Sequence, residues 1–418
     1  YGTVHSIQQD HVNPDLLFVG TEFGIHYSSD GGQVWTQLKS GIPTIAVKDI
    51  AIQERENDLV LATFGRGFYI MDDYTPLRSF TKEMADSSAF IFDIKDALMY
   101  VQRSRGGYGS GSNVYIANNP EFGATIAYYI KESPKTLKQE RQKMEKELVK
   151  DKKPIPIPTL EELRAEENEV KPHLIFTITD ENGNLVRKLT EGVGTGINRL
   201  NWDLRYPNTR PVNLRGGKYN PTSTGGSGML VLPGTYYVSI AQYHRGEVTE
   251  LAGPKAFVVK SLDNATLPAE NREELVAFQK DLAELYRVIS GSEDFADGLM
   301  ERTRHAKQAA QQTVGATQEL MAKIVDVENQ LDDIFWKFNG QQPKASREEN
   351  LPAPPSINER LGSMAWVHYR STSGVTQSQR DQFAILREEF PPVLEALRAI
   401  YETSLPDLEK VLVESGAP

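Results

Sequence analysis

A chain of 418 residues is too long for one hydrophobic core, so two to four domains are expected. Its 46 basic and 57 acidic residues give a formal charge of −11, which argues against nucleic acid as the main partner. With no cysteine, disulfides and thiolate chemistry are excluded, and no run approaches the roughly 18 apolar residues of a membrane span. The opening residues, YGTVHSIQQD, are strand-like and lack a basic-then-apolar leader, which fits either a cytosolic protein or the tail of a longer one. Short strands are expected near 4–9, 16–21, 24–29 and 34–38, and again near 47–53, 58–63 and 67–72.

The two groups of strands repeat one another. Displaced by 43 positions, Val4 meets Val47, Ile7 meets Ile50, Asp15 meets Asp58, Leu17 meets Val60, Gly24 meets Gly67, Ile25 meets Phe68 and Asp30 meets Asp73. A period of about 40 to 50 residues built from short strands is the pattern of a β-propeller. The second copy runs into Asp72-Asp73-Tyr74-Thr75-Pro76 with no fourth strand, and two blades cannot close a ring. The remaining propeller blades are therefore expected upstream of Tyr1 or in another chain.

Ser28, Asp30, Gly32 and Trp35 stand at S-x-D-x-G-x-x-W spacing. A short polar side chain before a Gly-Gly pair can accept from the turn's own N–H groups, and glycine takes positive φ at little cost. The pattern resembles an Asp-box, or BNR repeat, the hairpin between outer strands of a propeller blade. DLLFVGTEFGIHYSSDGGQVW and DLVLATFGRGFYIMDDYTPLR resemble the closing blades of large bacterial sortilin-like BNR-repeat proteins, often labelled "glycosyl hydrolase, BNR repeat". The resemblance continues along the rest of the chain, although Val34 stands where the box usually carries Thr. It implies that the box is structural, and that the protein is extracellular, periplasmic or on the outer surface of a bacterium.

The expected architecture is multidomain. Terminal propeller blades occupy 1–82, and an extended linker 83–123 includes the glycine-rich Arg105–Ser112. That stretch lacks the Lys-Ser/Thr ending of a phosphate loop. An immunoglobulin-like β-sandwich is expected over 124–260, from strands near 124–130, 173–179, 185–189, 197–206, 235–243 and 247–260. Trp202 is expected in its core, the other reading being a sugar-stacking platform. A helical hairpin is inserted at 132–170: a basic helix near 136–150 with an apolar stripe of Leu137, Met144 and Leu148, three prolines, then an acidic helix capped by Thr159 and Glu162. It is either a docking element or a solvated pair held by complementary charge. The long loop 207–229 carries Arg210, Arg215, Lys218 and Tyr219, candidates for a carbohydrate or protein contact.

From 261 to 418 the apolar period becomes helical, with stripes from Leu275 to Ile289, Leu320 to Phe338 and Phe383 to Leu412, and with a weaker helix over 293–312. These stripes predict an antiparallel bundle, with 339–356 as a crossover and a last helix that continues through Pro391, Pro392 and Pro406.

No catalytic constellation stands out. The seven histidines are scattered, without H-E-x-x-H or paired-ligand spacing, and there is no G-x-S-x-G elbow. No metal and no cofactor is expected. Glu22 and Arg66 fall in turns from which a propeller's central channel is lined, and Arg66 can equally serve its own G-R-G turn. Two functions follow. One is a non-catalytic secreted or cell-surface protein that binds protein or glycan. The other is a glycoside hydrolase whose paired carboxylates lie in blades upstream.

Overall fold

The structure is a computed structural model that describes residues 2–100, 120–212, 220, 222–262, 269–343, 345–349 and 351–417. The stretch Arg105–Ser112 and the loop candidates Arg215, Lys218 and Tyr219 lie outside the described residues.

Strands β1 Val4–Gln9, β2 Leu17–Thr21, β3 Gly24–Ser28 and β4 Thr36–Leu38 form a four-stranded antiparallel meander. Strands β5 Val47–Gln53, β6 Asp58–Thr63 and β7 Phe68–Met71 form a three-stranded one. The repeat seen in sequence is nearly one of register. Ile7 pairs with Val19, and Ile50 with Leu61, so β6 is displaced one residue from the gapless superposition. The β5–β6 turn is one residue shorter than its counterpart and the β6–β7 turn one longer. Both first strands bulge at the same place, between Val4 and Ser6 and between Val47 and Asp49.

The two meanders share one core. Phe18, Ile25 and Tyr27 from the first sheet meet Ile50, Leu59, Leu61 and Tyr69 from the second. Gly20 lets the sheets approach, because a Cβ there would lie 2.7 Å from the Val47 carbonyl oxygen and 2.6 Å from Ser6 Oγ. The two sheets use opposite faces. In register, Ile25 and Tyr27 correspond to Phe68 and Ile70, which are 72% and 62% exposed, while Ile50 corresponds to Ile7, 63% exposed. An interface between different faces of repeated units is heterologous, and here it leaves Phe68 and Ile70 exposed at one end and Ile7 at the other, where Val19 and His26 are buried.

After β7 the chain turns through two short helices, α1 Pro76–Ser79 and α2 Lys82–Asp86, and enters a second β region. Its strands are β8 Ala89–Ile91, β9 Ala97–Met99, β10 Ala124–Ile130, β11 His173–Asp180, β12 Leu185–Gly192, β13 Gly196–Trp202, β14 Arg205–Pro207, β15 Ser227–Leu230, β16 Gly234–His244 and β17 Glu247–Ser261. They form sheets ordered β13-β10-β8 and β12-β11-β16-β17-β9, with β14 and β15 paired alone. Alternating Leu174, Phe176 and Ile178, Tyr236, Val238 and Ile240, and Ile126, Tyr128 and Ile130 fill the core between them. Within the segment expected as a linker or extended stretch over 83–123, residues 89–99 contribute to this core: β8 pairs with β10, β9 runs parallel to β17, and Ile91 and Met99 are buried. The alternation over 89–100 marks the stretch as extended chain lying on a neighbour, but strands of three residues do not reveal which sheet they join.

The insertion between β10 and β11 folds as α3 Leu137–Lys150 and α4 Leu160–Asn168, each opened by a capping box (Thr136 with Gln139, Thr159 with Glu162). Neither helix buries a residue.

The C-terminal region is helical, with α5 Arg272–Gln312, α6 Gln318–Asn339, α7 Ile357–Arg370, α8 Gln377–Ala399 and α9 Leu405–Glu414, the last two joined by a π turn at Ile400–Ser404. The segment 293–312 is not a separate helix, since α5 runs unbroken for 41 residues through Gly291. Leu282, Ile289, Ile324, Leu331, Phe338, Leu386, Val393 and Leu408 share its core. Pro391 and Pro392 sit on the exposed side of α8, where water can bond the carbonyls they leave free. Among the described residues no helix is long and apolar enough to cross a membrane. The protein is thus multidomain and β-rich, with a C-terminal helical region.

Candidate functional site

The S-x-D-x-G-x-x-W turn is closed by its own side chains. Ser28 Oγ donates to Asp30 Oδ1 at 2.6 Å and accepts from Gly32 N–H at 2.9 Å. The same Asp30 oxygen accepts from Gln33 and Val34 N–H, both at 3.0 Å. The Ser28 hydroxyl, followed by these amides, holds the Asp30 carboxyl below the usual carboxylate range. Gly31 and Gly32 take φ of 71° and 95°, and half-buried Trp35 lies against Gly32. Asp30 Oδ1 therefore spends its hydrogen bonds inside the turn.

Glu22 and Arg66 occupy the β2–β3 and β6–β7 turns, which are equivalent in the repeat and stand at the same end of the two sheets. Both are exposed, and Glu22 Oε2 accepts from Thr3 N–H at 3.2 Å. The starts of β1 and β5 reach this end too. They bring His5 Nε2 and Lys48 Nζ to 3.1 Å and set Lys48 5.6 Å from the Phe64 ring centroid. Phe23 and Phe64, in the same two turns, are 51% and 71% exposed. The result is an end surface of two accessible aromatic rings among a carboxylate, a guanidinium and an ammonium. Such a mixture stacks on apolar ring faces and bonds polar edges. His5, Lys48 and Phe64 escaped the sequence reading because only pairing between strands brings the start of one to the turn of another.

At the opposite end of the two sheets, by the β1–β2 and β5–β6 turns, lies a buried ion cluster that the sequence did not announce. Asp10, fully buried, accepts from Arg78 Nε at 2.8 Å and Nη2 at 2.7 Å, from Tyr74 Oη at 2.5 Å, and from Asn13 N–H at 2.7 Å. Arg78 also donates to Asn57 Oδ1 at 2.7 Å, so the cluster ties the first turn of each meander to the segment that follows β7. Burial alone would raise the Asp10 pKa, but the Arg78 and Tyr74 hydrogen bonds outweigh it and bring it down to about 2. Burial, and then the bond to Asp10, push the Tyr74 phenol upward.

In the 207–229 loop, Arg210 is exposed and its N–H donates to Asn208 Oδ1 at 3.1 Å. The loop's base is held by buried Arg187, which donates to the carbonyls of Tyr206 at 2.9 Å and Gly226 at 3.1 Å. A cleft of about 380 Å³ lies between this base and α5, lined by Tyr206, Thr209, Met229, Gln279, Lys280 and Arg287 among others. Buried Arg205 reaches from β14 to the bundle, donating to the Tyr369 carbonyl at 2.7 Å and stacking on its ring at 3.9 Å. Trp202 is fully buried against Tyr236 and Phe257, with Nε1 donating to the Arg205 carbonyl, so its indole is not open to a sugar. Among the described residues no group of three or more His, Asp or Glu side chains is arranged to hold a metal.

No protein-family model matches the chain, and no curated protein matches its sequence. Two crystal structures from B. thetaiotaomicron match, the extracellular domains of a putative one-component system and a putative hybrid two-component system. They are 10% and 11% identical, over 63% and 62% of this chain and 26% and 25% of theirs, each with a TM-score of 0.14. The chain spans about a quarter of the length of those structures. Superposition this low extends to neither fold nor function.

Proposed function

We propose that residues 2–71 are two adjacent blades of a β-propeller, followed by an immunoglobulin-like sandwich and a helical bundle, and that the protein is a non-catalytic interaction protein at or beyond a bacterial cell surface. The observation that carries this reading is the unequal use of equivalent faces. The Phe18–Ile25–Tyr27 face of one sheet is covered by the other, while on its equivalent Phe68 and Ile70 are exposed and Val60 is half-buried. Units that pack front to back either close a ring or extend without limit. Among the described residues β7 has no outer partner such as β4 gives β3, so the second sheet has room for a strand from elsewhere. The S-x-D-x-G-x-x-W turn then serves as an Asp-box that pins the outer hairpin.

In a ring, Phe23, Phe64, Lys48, Glu22 and Arg66 belong to one rim, which becomes the ligand face for a protein or glycan. Full-length protein, including any upstream sequence, should bind its ligand on a glycan array or by affinity capture. Phe64→Ala with Lys48→Ala should weaken binding about tenfold or more without lowering the melting temperature. Undiminished binding by that variant would remove the rim from consideration. The alternative, a glycoside hydrolase with its catalytic blades N-terminal to this chain, draws on Glu22, a carboxylate held at the same rim as Arg66. Turnover of aryl glycosides that is lost on substituting a rim carboxylate pair would favour it.

A further inference from the structure

The α3–α4 insertion has features that a merely solvated hairpin does not require. Its base is fixed to the β16–β17 turn: Arg245 pairs with Glu140 and Glu169, and Glu169 accepts the Leu137 N–H at 2.8 Å. The two helices are clamped by Arg141, which holds Glu166 and Glu145, both at 2.6 Å. From that base, fourteen helical residues carry the tip about 20 Å away, at 1.5 Å per residue. The tip holds the apolar side chains that a solvated pair has no reason to gather: Val149 is 60% exposed, Ile155 48%, Ile157 92% and Leu160 66%. Between Val149 and Leu160 the charged residues are Lys150, Lys152 and Lys153 against Asp151 alone, and Glu161 and Glu162 follow at the start of α4. The rest of the chain is distributed oppositely, with 26 acidic and 16 basic residues from 261 to 418.

We infer that this arm is a membrane-surface anchor whose tip enters the interfacial layer of an anionic lipid bilayer. Three observations favour lipid over a protein partner. The tip spans only residues 149–160, fewer than the roughly 20 to 30 residues a side of a stable protein interface. Its cations are all lysine, a residue depleted from protein interfaces but suited to a lipid surface, where the stem stays apolar and the ammonium reaches the headgroups. Pro154, Pro156 and Pro158 have no N–H, so inserting residues 154–158 desolvates only two backbone donors, the N–H groups of Ile155 and Ile157. The positive tip on a negative chain would orient the protein with its acidic bundle away from the bilayer. The inference is independent of how the N-terminal sheets are completed.

The test is flotation of the 418-residue chain with phosphatidylcholine–phosphatidylglycerol vesicles and with phosphatidylcholine vesicles alone. Binding to the anionic vesicles is expected, weaker by about tenfold on the neutral ones, and abolished in 1 M salt, where the Debye length is about 3 Å. Ile155→Ser with Ile157→Ser, and separately Lys150→Glu with Lys152→Glu, should each lower binding by about tenfold or more. Because α3 and α4 bury nothing, the melting temperature and helix content should not change. Failure of the wild-type chain to float, binding indifferent to lipid charge, or variants that float equally well would overturn the proposal. So would a salt-resistant protein complex formed through the arm when vesicles are not bound.

Discussion

Replacing Arg78 with Met should unfold the N-terminal sheets far more readily while leaving the rest of the protein intact. In the native state Asp10 is buried, and its carboxylate is held by Arg78, Tyr74 and Asn13. Its pKa falls from 3.8 to about 2, a displacement that stabilises the folded state by about 2.5 kcal/mol at neutral pH. Removing the guanidinium strands a buried charge and frees Asn57, so the full cost should reach about 3 kcal/mol, within the range for breaking a buried ion pair. The sign follows from the depressed pKa. The contribution is complete above about pH 4 and is lost as pH falls through about 2. Since a multidomain chain does not unfold in one step, the measurement should be native-state hydrogen exchange resolved to the amides of β1–β7. Arg78→Met should lower their protection free energy together, and Asp10→Asn should flatten its dependence on acid. A loss under about 1 kcal/mol, or an acid profile that Asp10→Asn leaves unaltered, would refute the reasoning.

Three further outcomes are expected. Gly20→Val should cost about 1–3 kcal/mol in the same amides, because its side chain meets the Val47 carbonyl and Ser6, whereas Gly192→Ala, with open space around it, should be nearly silent; both are read by the same exchange experiment. His368 is 1% exposed with neither ring nitrogen bonded, and burial lowers its pKa, so the bundle should lose stability as pH falls below about 6.5. His368→Leu should abolish that slope and raise stability by about 1 kcal/mol, measured by urea unfolding across the pH range. Arg205→Met should cost about 2 kcal/mol and loosen the contact between β14 and α7, seen as faster exchange at the C-terminal turn of α7.

How much of this was legible beforehand depended on the range of the interaction involved. The S-x-D-x-G-x-x-W turn was visible because its side-chain hydrogen bonds join residues at most four apart. Capping at Thr159 was visible for the same reason, and Ser356 with Glu359 offered an equal signal for α7, which the helical-stripe reading passed over. The alternation over 89–100 showed β8 and β9 only as an extended segment, because three residues carry no register and their pairing partners lie at least 37 residues away (Ile91 with Tyr128). The one-residue slip of β6 was hidden as well, since its shorter and longer turns cancel in any gapless comparison.

By itself, the order of residues determined what is local or periodic: the strand-rich repeat, the polar turn that closes on itself, the helical stripes and the charged hairpin with its lysine-ringed tip. Tertiary structure alone decided which faces are covered and which are open, that Asp10 and Arg78 meet across 68 positions, and that His5, Lys48, Phe23 and Phe64 lie at one end of the two sheets. The reason is physical. Hydrogen bonding within a turn and the 3.6- or 2-residue period act along the chain, whereas burial and ion pairing depend on which distant surfaces packing brings together.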